Sequence, residues 1–429
     1  MPAIPDKVER AIPAIPDEAK RAIMVYSVQN VKGREAQGRW KVVLALVNRN
    51  FRDVLYDADE LWNTVFVHYA MDFKYIRHIC NRAKKSARAP ILRISTEAER
   101  EPGEKELVGC RLFKKIARWA FMLGFMLVPV VKKAISIQVN SADPHAMSII
   151  LRHVGITQAR ALERFTCFAA MVEPDDSNSL YPLHSRGLRL LSISHVNPAG
   201  LAPIQFHGLT KLQLLSIKKK LEWFEMRIIL TSCMALEELE VAGVVCTGAV
   251  GTRKILLAYL WHLNLDIAEL GALDFATVLD LPALRKLTVR GEAHSPWTAF
   301  TDSLRPSLER VNECVLSAAD YTEGVASLLA AMPAVEVIDL RQGNDEFVSS
   351  MTDDEDTDDV DRPPLAHLKR WITTSHLSYF QADALTNWPG ATDVLLYTEM
   401  DDGGAYKFAE WEQDDEVYTV TLVHDKPGF

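Results

Sequence analysis

Apolar residues recur along the middle of the chain in short segments with the pattern Leu-x-x-Leu-x-Leu. Because side chains alternate across a strand, the last two apolar residues of a segment, such as Leu239 and Val241, point to the same face. One such unit cannot bury its own apolar face, so we expect the units to stack and share a core. Six clear units begin at Leu188, Leu209, Leu236, Leu260, Leu284 and Val335.

The spacing of these units indicates a repeat architecture. The first five starts are separated by 21, 27, 24 and 24 residues, and weaker units are expected to begin at Ile135, Leu162, Leu308 and Leu365. Helical patterns lie between the strands, at Pro144–His153, 226–233 and 323–332. One strand and one helix in each 20 to 29 residues is typical of leucine-rich repeats. The alternative, an ordinary α/β domain with Leu-rich strands, is disfavoured by the regular spacing. We therefore predict an α/β fold, an irregular leucine-rich-repeat solenoid over residues 131–400.

One position departs from the leucine-rich consensus. Three residues after the last apolar residue, the consensus has Asn or Cys, whose side chain satisfies the turning backbone. We expect the turns of this chain to be held by other means, and the curvature to be irregular. The residues at this position are Val196, Ile217, Val244, Ala268, Glu292 and Gly343.

Polar residues that alternate with the core leucines are predicted to form a concave, partner-binding face. Their charges differ in sign along the array, which favours a protein partner of mixed charge over a polyanion. The predicted residues are Glu238, Glu240, His262, Asn264, Asp266, Lys286, Thr288 and Arg290.

The N-terminal region predicts helices and carries a family resemblance. Val43, Leu46, Val47, Phe51 and Val54 recur with helical spacing on one face. Residues 44–67 resemble the second half of an F-box, as found in fungal-type F-box-like proteins with leucine-rich repeats. The residues that carry this resemblance are Leu44, Val47, Arg49, Phe51, Arg52, Asp53, Leu61 and Trp62.

This resemblance implies a small all-α F-box-like helical region over residues 13–68, in front of the repeats. In the family, that region docks on the Skp-type adaptor of a cullin–RING ubiquitin ligase while the repeats hold a protein substrate. It also implies a cytoplasmic or nuclear protein. The implied adaptor-binding residues are Ile15, Pro16, Ile23, Leu46, Val47 and Phe51.

A second function stays open, which is a non-catalytic leucine-rich-repeat interaction scaffold with a degenerate F-box. An F-box opens with Leu-Pro-x-Glu before an amphipathic helix, whereas this chain has Ile15-Pro16-Asp17-Glu18, which keeps the Pro and one acid.

The remaining segments complete the predicted domain organisation. Residues 1–12 form a flexible tail rich in Pro and charge, residues 69–130 a helical connector and residues 401–429 a C-terminal cap. The apolar stretch 119–131 is shorter than the roughly 20 residues a spanning helix needs, so we expect it to be buried under the array. Flanking lysines leave a membrane-surface interpretation open. Residues 346–364 form an acidic loop, in which Ser350 and Thr352 match acidophilic-kinase sites.

Composition narrows the function classes. The 429 residues carry a net charge of −9, of which seven negative charges lie in the run 353–361, so the rest of the chain is near neutral. Without a basic stripe, nucleic-acid binding is not expected, and no membrane partner is expected. No catalytic, cofactor-binding or metal-binding motif occurs. The six Cys are scattered and indicate buried thiols in a reducing compartment. We therefore expect no enzyme; an enzyme would need a deep pocket with a perturbed acid or base.

Overall fold

The structure is a computed structural model of the 429-residue chain. It divides into two compact units, Met1–Gln205 and Phe206–Phe429. It describes residues 17–29, 64–68, 71–85, 89–95, 110–141, 144–154, 158–169, 187–195, 206–217, 221–268, 272–292, 294–318, 321–340, 365, 367–374, 393–397, 405–408 and 420–423. The predicted tail 1–12, the predicted helix around Val43–Val54 and the acidic loop 346–364 lie outside these residues.

The first unit alternates helices and strands. Its strands form one parallel sheet in chain order. The first residue of each strand is the register partner of the first residue of the next strand. The elements are α1 (Asp17–Gln29), β1 (Thr64–His68), α2 (Phe73–Lys85), β2 (Ile91–Ser95), α3 (Cys110–Val131), β3 (Ser136–Ser141), α4 (Pro144–His153), β4 (Arg164–Ala169) and β5 (Leu190–Ser194).

The second unit is also a mixed α/β structure. Its elements are β6 (Lys211–Leu215), β7 (Leu221–Glu222), α5 (Trp223–Ser232), β8 (Glu238–Ala242), β9 (Cys246–Thr247), β10 (Ile255–Leu256), β11 (His262–Asp266), α6 (Ala272–Val278), β12 (Leu279–Asp280), β13 (Lys286–Gly291), α7 (Trp297–Leu308), β14 (Glu313–Ala318), α8 (Glu323–Ala330), β15 (Val337–Asp339), β16 (Arg370–Thr374), β17 (Asp393–Tyr397), β18 (Ala405–Phe408) and β19 (Val420–Val423).

A long sheet runs through the second unit in the order β6-β8-β11-β13-β14-β15-β16-β17-β18-β19. The strands from β6 to β17 are parallel, and the last two pairings are antiparallel. Two short parallel pairs, β7 with β9 and β10 with β12, connect successive units outside the main sheet.

The core of the second unit is a ladder of pattern leucines. Leu212, Leu239, Leu263 and Leu287 occupy the same register position in four neighbouring strands, and each is at most 1% exposed. Burial of one such side chain contributes about 1.5–3 kcal/mol. The stack is therefore stabilised unit by unit, as the apolar pattern predicts.

The hydrogen bond in the turn before each strand shows where a unit starts, and it differs from the prediction for three of the weaker units. In most units the amide of the first pattern residue donates to the carbonyl three residues earlier, as Leu260 does to Leu257 at 3.2 Å. By this criterion the units begin at Ala134, Val311 and Leu368, and not at Ile135, Leu308 and Leu365. Leu308 and Leu365 are instead the buried residues that accept the turn hydrogen bond.

The turns after β6, β11 and β15 are held by backbone hydrogen bonds to the next strand, where the consensus uses an Asn side chain. The Ser216 amide donates to the Ala242 carbonyl at 2.7 Å, and the Ile267 amide donates to the Arg290 carbonyl at 2.7 Å. Ser216 adopts a left-handed φ of 48°, which directs its amide toward the next strand. Val244, at the consensus Asn position, is buried. An apolar residue therefore extends the core at this position.

The N-terminal part differs from the predicted all-α region. Helix α1 begins at Asp17, within the predicted helical region 13–68. Strand β1, however, lies in the last five residues of the predicted region 13–68, and β2 lies within the predicted connector. β1 pairs with β2, so the sheet of the first unit already begins at Thr64. No F-box helical region is shown among the residues that the structure describes.

The apolar stretch 119–131 forms the C-terminal part of α3 and is buried on one side only. Trp119, Leu123 and Leu127 are buried, whereas Phe121 and Phe125 are 49% and 70% exposed. The expectation of full burial was therefore half right, because an amphipathic helix satisfies only one face against the sheet. Among the described helices, none is both long and apolar enough to cross a bilayer.

Candidate binding face

Alternation along the strands of the second unit creates a polar surface opposite the leucine core. Strands β6, β8 and β11 share one burial pattern, in which two buried apolar residues alternate with three partly exposed ones. All eight residues predicted for the partner-binding face lie on this side of β8, β11 and β13. Seven of them are partly exposed, and Thr288 is buried. We define the second-unit face as Lys211, Gln213, Glu238, Glu240, His262, Asn264, Asp266, Lys286, Thr288, Arg290 and Glu313.

The first row of this face places opposite charges next to each other. Lys211 Nζ lies 2.6 Å from Glu238 Oε2, and the side chains are 34% and 30% exposed. Two strands further on, Lys286 forms an ion pair with Glu313. His262 lies between the two pairs in the register. Each charge of this row therefore has a neighbour of opposite sign.

The second row is organised around one carboxylate. Gln213 Nε2 donates to Glu240 Oε2 at 2.5 Å, and Asn264 Nδ2 donates to Glu240 Oε1 at 3.0 Å. Both oxygens are thus engaged by amides of the two neighbouring strands, an arrangement in which the bonds are charge-assisted. These two hydrogen bonds link the side chains of Gln213, Glu240 and Asn264 across three neighbouring strands.

His262 connects the first and second rows. Its Nε2 lies 3.1 Å from Thr288 Oγ1, and Thr288 is only 5% exposed. Burial, followed by the positive charge of Lys286, lowers the pKa of His262 from 6.5 to about 4. The imidazole is therefore neutral near pH 7, so the centre of the face carries no positive charge between its two ion pairs.

The third row of the face lies near the C-terminal ends of the strands. Asp266 and Arg290 are register partners on β11 and β13. Asp266 Oδ1 accepts a hydrogen bond from the Ala268 amide at 3.1 Å, which closes the turn after β11. Both side chains are partly exposed, so they are accessible at this edge of the face.

Three residues of the face were missed from the sequence. Lys211 and Gln213 stand at outward positions of the unit that begins at Leu209, and the pattern already identified that unit. Glu313 was missed because the weaker unit was started at Leu308. With the start at Val311, Glu313 occupies the position that Lys286 has in the preceding unit.

Of the six implied adaptor-binding residues, only Ile23 is among the residues that the structure describes. Ile23 lies in α1 with 53% of its surface exposed, beside Tyr26 at 71%. Ile15, Pro16, Leu46, Val47 and Phe51 lie outside the described residues.

Buried thiols and the placement of metal-ligating side chains can be compared with what catalysis and metal binding require. Five cysteines, Cys80, Cys167, Cys233, Cys246 and Cys314, are buried free thiols. Burial raises the pKa of Cys80, Cys233, Cys246 and Cys314 to about 12. Such thiols stay protonated and are poor nucleophiles. In the same part of the chain, no group of three or more His, Cys, Asp or Glu side chains is placed to hold a metal ion.

The sheet of the first unit has a polar side of different composition. We define the first-unit face as the outward positions of β1 to β5. These positions hold hydroxyl, amide, aromatic and aliphatic side chains, one His and two Arg, and no acid. They are Thr64, Phe66, His68, Ile91, Arg93, Ser95, Ser136, Gln138, Asn140, Arg164, Thr166, Phe168, Leu190, Ser192 and Ser194.

Comparison with known proteins leaves the family open. No protein-family model matches the chain, and no curated protein matches it. Among solved structures, a protein of Bacteroides fragilis is similar over 64% of this chain and 67% of its own, at 13% identity and a TM-score of 0.29. A likeness at that level supports no statement about function.

Proposed function

We propose that this protein is a substrate-recognition subunit of a cullin–RING ubiquitin ligase, in which irregular leucine-rich repeats bind a protein target. The observation that carries the proposal is the second-unit face, a register-aligned polar surface over a leucine ladder. Repeat stacks of this kind use such surfaces to hold extended partners.

The face suits a protein partner because it is wide, polar and balanced in charge. Positive and negative side chains alternate along the first row, and the carboxylate of Glu240 is held by two amides. A surface with fixed charges of both signs selects its partner by complementary charge pattern. We propose Asp266 and Arg290 as the accessible contacts at its edge.

Adaptor docking is the second half of the proposal. It rests on the resemblance of residues 44–67 to the second half of an F-box, and on the exposed apolar residue Ile23 of α1. Leu46, Val47 and Phe51 are proposed to contact a Skp-type adaptor, with Ile15 and Pro16 at the opening of the box. A ligase subunit of this type acts in the cytoplasm or the nucleus, without catalytic residues of its own.

Affinity purification of the tagged full chain tests both halves. Phe51→Ala combined with Leu46→Asp is expected to abolish recovery of the Skp-type adaptor and cullin while keeping the target. Asp266→Lys is expected to lose the target while keeping the adaptor. Asp280→Lys, the same substitution at an exposed position of β12, is the matched control and should keep both.

The alternative function is an interaction scaffold without ligase activity. The opening Ile15-Pro16-Asp17-Glu18 favours it, because only the Pro and one acid of the F-box opening are kept. Recovery of a target without any adaptor, from the unsubstituted chain, would establish this alternative and reject the ligase role.

A further inference from the structure

The two arginines of the first-unit face differ in their surroundings from the cations of the second-unit face. Arg93 Nε is buried and has no hydrogen-bond partner. Arg164 is exposed, and among the described residues neither guanidinium forms an ion pair. Lys211 and Lys286 of the second-unit face, by contrast, are each paired with a carboxylate.

A buried guanidinium N–H without an acceptor has a large desolvation penalty. The strands beside Arg93 offer it no carboxylate, since its register partners are Phe66 on β1 and Gln138 on β3. Gln138 Nε2 already donates to Asn140 Oδ1 at 3.3 Å. An acceptor supplied by another molecule would neutralise the charge of Arg93, whose side chain is partly exposed.

We propose that the first-unit face binds an acidic segment of a partner polypeptide, with its carboxylates on Arg93 and Arg164. Guanidinium groups bind carboxylates through paired hydrogen bonds, in a planar geometry that an ammonium group cannot match. The absence of acidic side chains from the described positions of this face removes the repulsion that such a segment would meet elsewhere on an acidic protein.

The separation of the two arginines favours a segment over a small anion. Arg93 on β2 and Arg164 on β4 are two strands apart and offset by two residues along the strands. Strand spacing and rise put their Cα atoms about 12 Å apart. To share one small anion, the two side chains would have to bend toward each other. An extended chain covers it in about four residues, so two acids of one segment can each meet an arginine.

The side chains between and around the arginines fit an extended polar segment. Thr166 and Ser192 continue the row of Arg93 and Gln138 across β4 and β5. Phe168 is 41% exposed and packs edge-on to His195, with ring centroids 6.3 Å apart. The face therefore combines hydroxyl groups for the partner backbone with one aromatic surface for an apolar side chain.

Fluorescence anisotropy with the full-length protein tests the proposal. The probe is a fluorescein-labelled peptide of alternating Glu and Ser, long enough to span both arginines. We expect saturable binding that weakens with ionic strength, and about tenfold weaker binding for Arg93→Gln and for Arg164→Gln. A peptide of alternating Lys and Ser is expected not to bind.

Matched controls separate the site from general electrostatics. Arg152→Gln removes one exposed positive charge from α4 and should leave the affinity within about twofold. Arg305→Gln with Asp302→Asn removes a paired cation and its acid from α7 at constant net charge, and should also change little. Arg93→Lys keeps the charge but not the planar donor set, so we expect an intermediate loss. Circular dichroism melts verify that each variant is folded.

Three results would overturn the inference. The first is an equal loss of affinity in Arg152→Gln, and the second is binding that is indifferent to both arginine substitutions. The third is displacement of the peptide by inorganic phosphate at the same concentration as by unlabelled peptide, which would make the site a small-anion site. None of these results bears on target binding by the second-unit face, which Asp266→Lys tests separately.

Discussion

The polar faces of the two units both lie over buried apolar side chains, but they differ in whether their charged groups are paired. On the second-unit face, lysines pair with glutamates and Glu240 is held by two amides. On the first-unit face, acids are absent from the described positions and Arg93 keeps an unpaired buried N–H. The same strand pattern thus carries a face whose charges are paired with each other, in the second unit, and a face whose arginines are not paired with acids, in the first unit. The apolar positions specify the stack, while the outward positions are free to vary.

Truncation of the core beneath each face tests whether the difference is confined to the surface. Leu263 and Ile137 are both fully buried, so Leu263→Ala and Ile137→Ala should each lower the free energy of unfolding by roughly 3 kcal/mol. Urea unfolding, with hydrogen exchange in β11 and β3, measures the two effects. A cost for Ile137→Ala well below that for Leu263→Ala would show that the two cores also differ.

Loss of the Glu240 carboxylate should reveal the internal pairing of the second-unit face. Glu240→Ala removes two charge-assisted hydrogen bonds and should cost about 1–2 kcal/mol. Gln138→Ala, in the corresponding row of the first unit, removes one neutral bond and should cost about 0.5 kcal/mol. Urea unfolding of both variants provides the measurement. Equal costs would remove the distinction between the two faces.

Acid should weaken the second unit through His262. The folded-state pKa is about 4, whereas an unfolded chain has a His pKa near 6.5. Between these pH values the unfolded chain binds a proton that the folded protein does not. The free energy of unfolding therefore falls as the pH is lowered from about 6.5 to 4. His262→Gln should show a shallower decline in this window, and identical pH profiles would argue against a buried neutral imidazole.

The ion pairs of the second-unit face are expected to contribute little energy individually. A double-mutant cycle with Lys211→Met and Glu238→Gln should give a coupling of about 0.5 kcal/mol, because both side chains are about one-third exposed and water screens them. The coupling should decrease when salt is added. A coupling that does not respond to salt would indicate a more enclosed pair.

Arg93→Met should change stability least. It removes the buried unpaired N–H and keeps much of the side-chain volume, so we expect a change within about 0.5 kcal/mol in either direction. Thermal melts of the variant and the unsubstituted protein check this. A large loss of stability would mean that Arg93 serves the fold of the first unit and not a partner.

Two misplaced unit starts, Leu308 and Leu365, share one physical cause. Leu308 and Val311 are both buried, because a helix end and the turn into the next strand repeat their apolar contacts every three residues. Pattern alone could not tell which of them starts the unit, and Glu313 was lost from the face as a result. In the N-terminal part, strand β1 was assigned to a helical region because Thr64–His68 is too short to show its pairing with β2.

The sequence by itself determined the repeat and the side of each strand on which a residue lies. Alternation with buried leucines placed all eight predicted face residues at outward positions, since the two-residue period of a strand is a local property. Only the tertiary structure decided which outward residues become neighbours, because neighbouring strands come from units 24 to 27 residues apart. The register between strands pairs Lys211 with Glu238 and places Arg93 beside Gln138. A local sequence pattern does not specify that register.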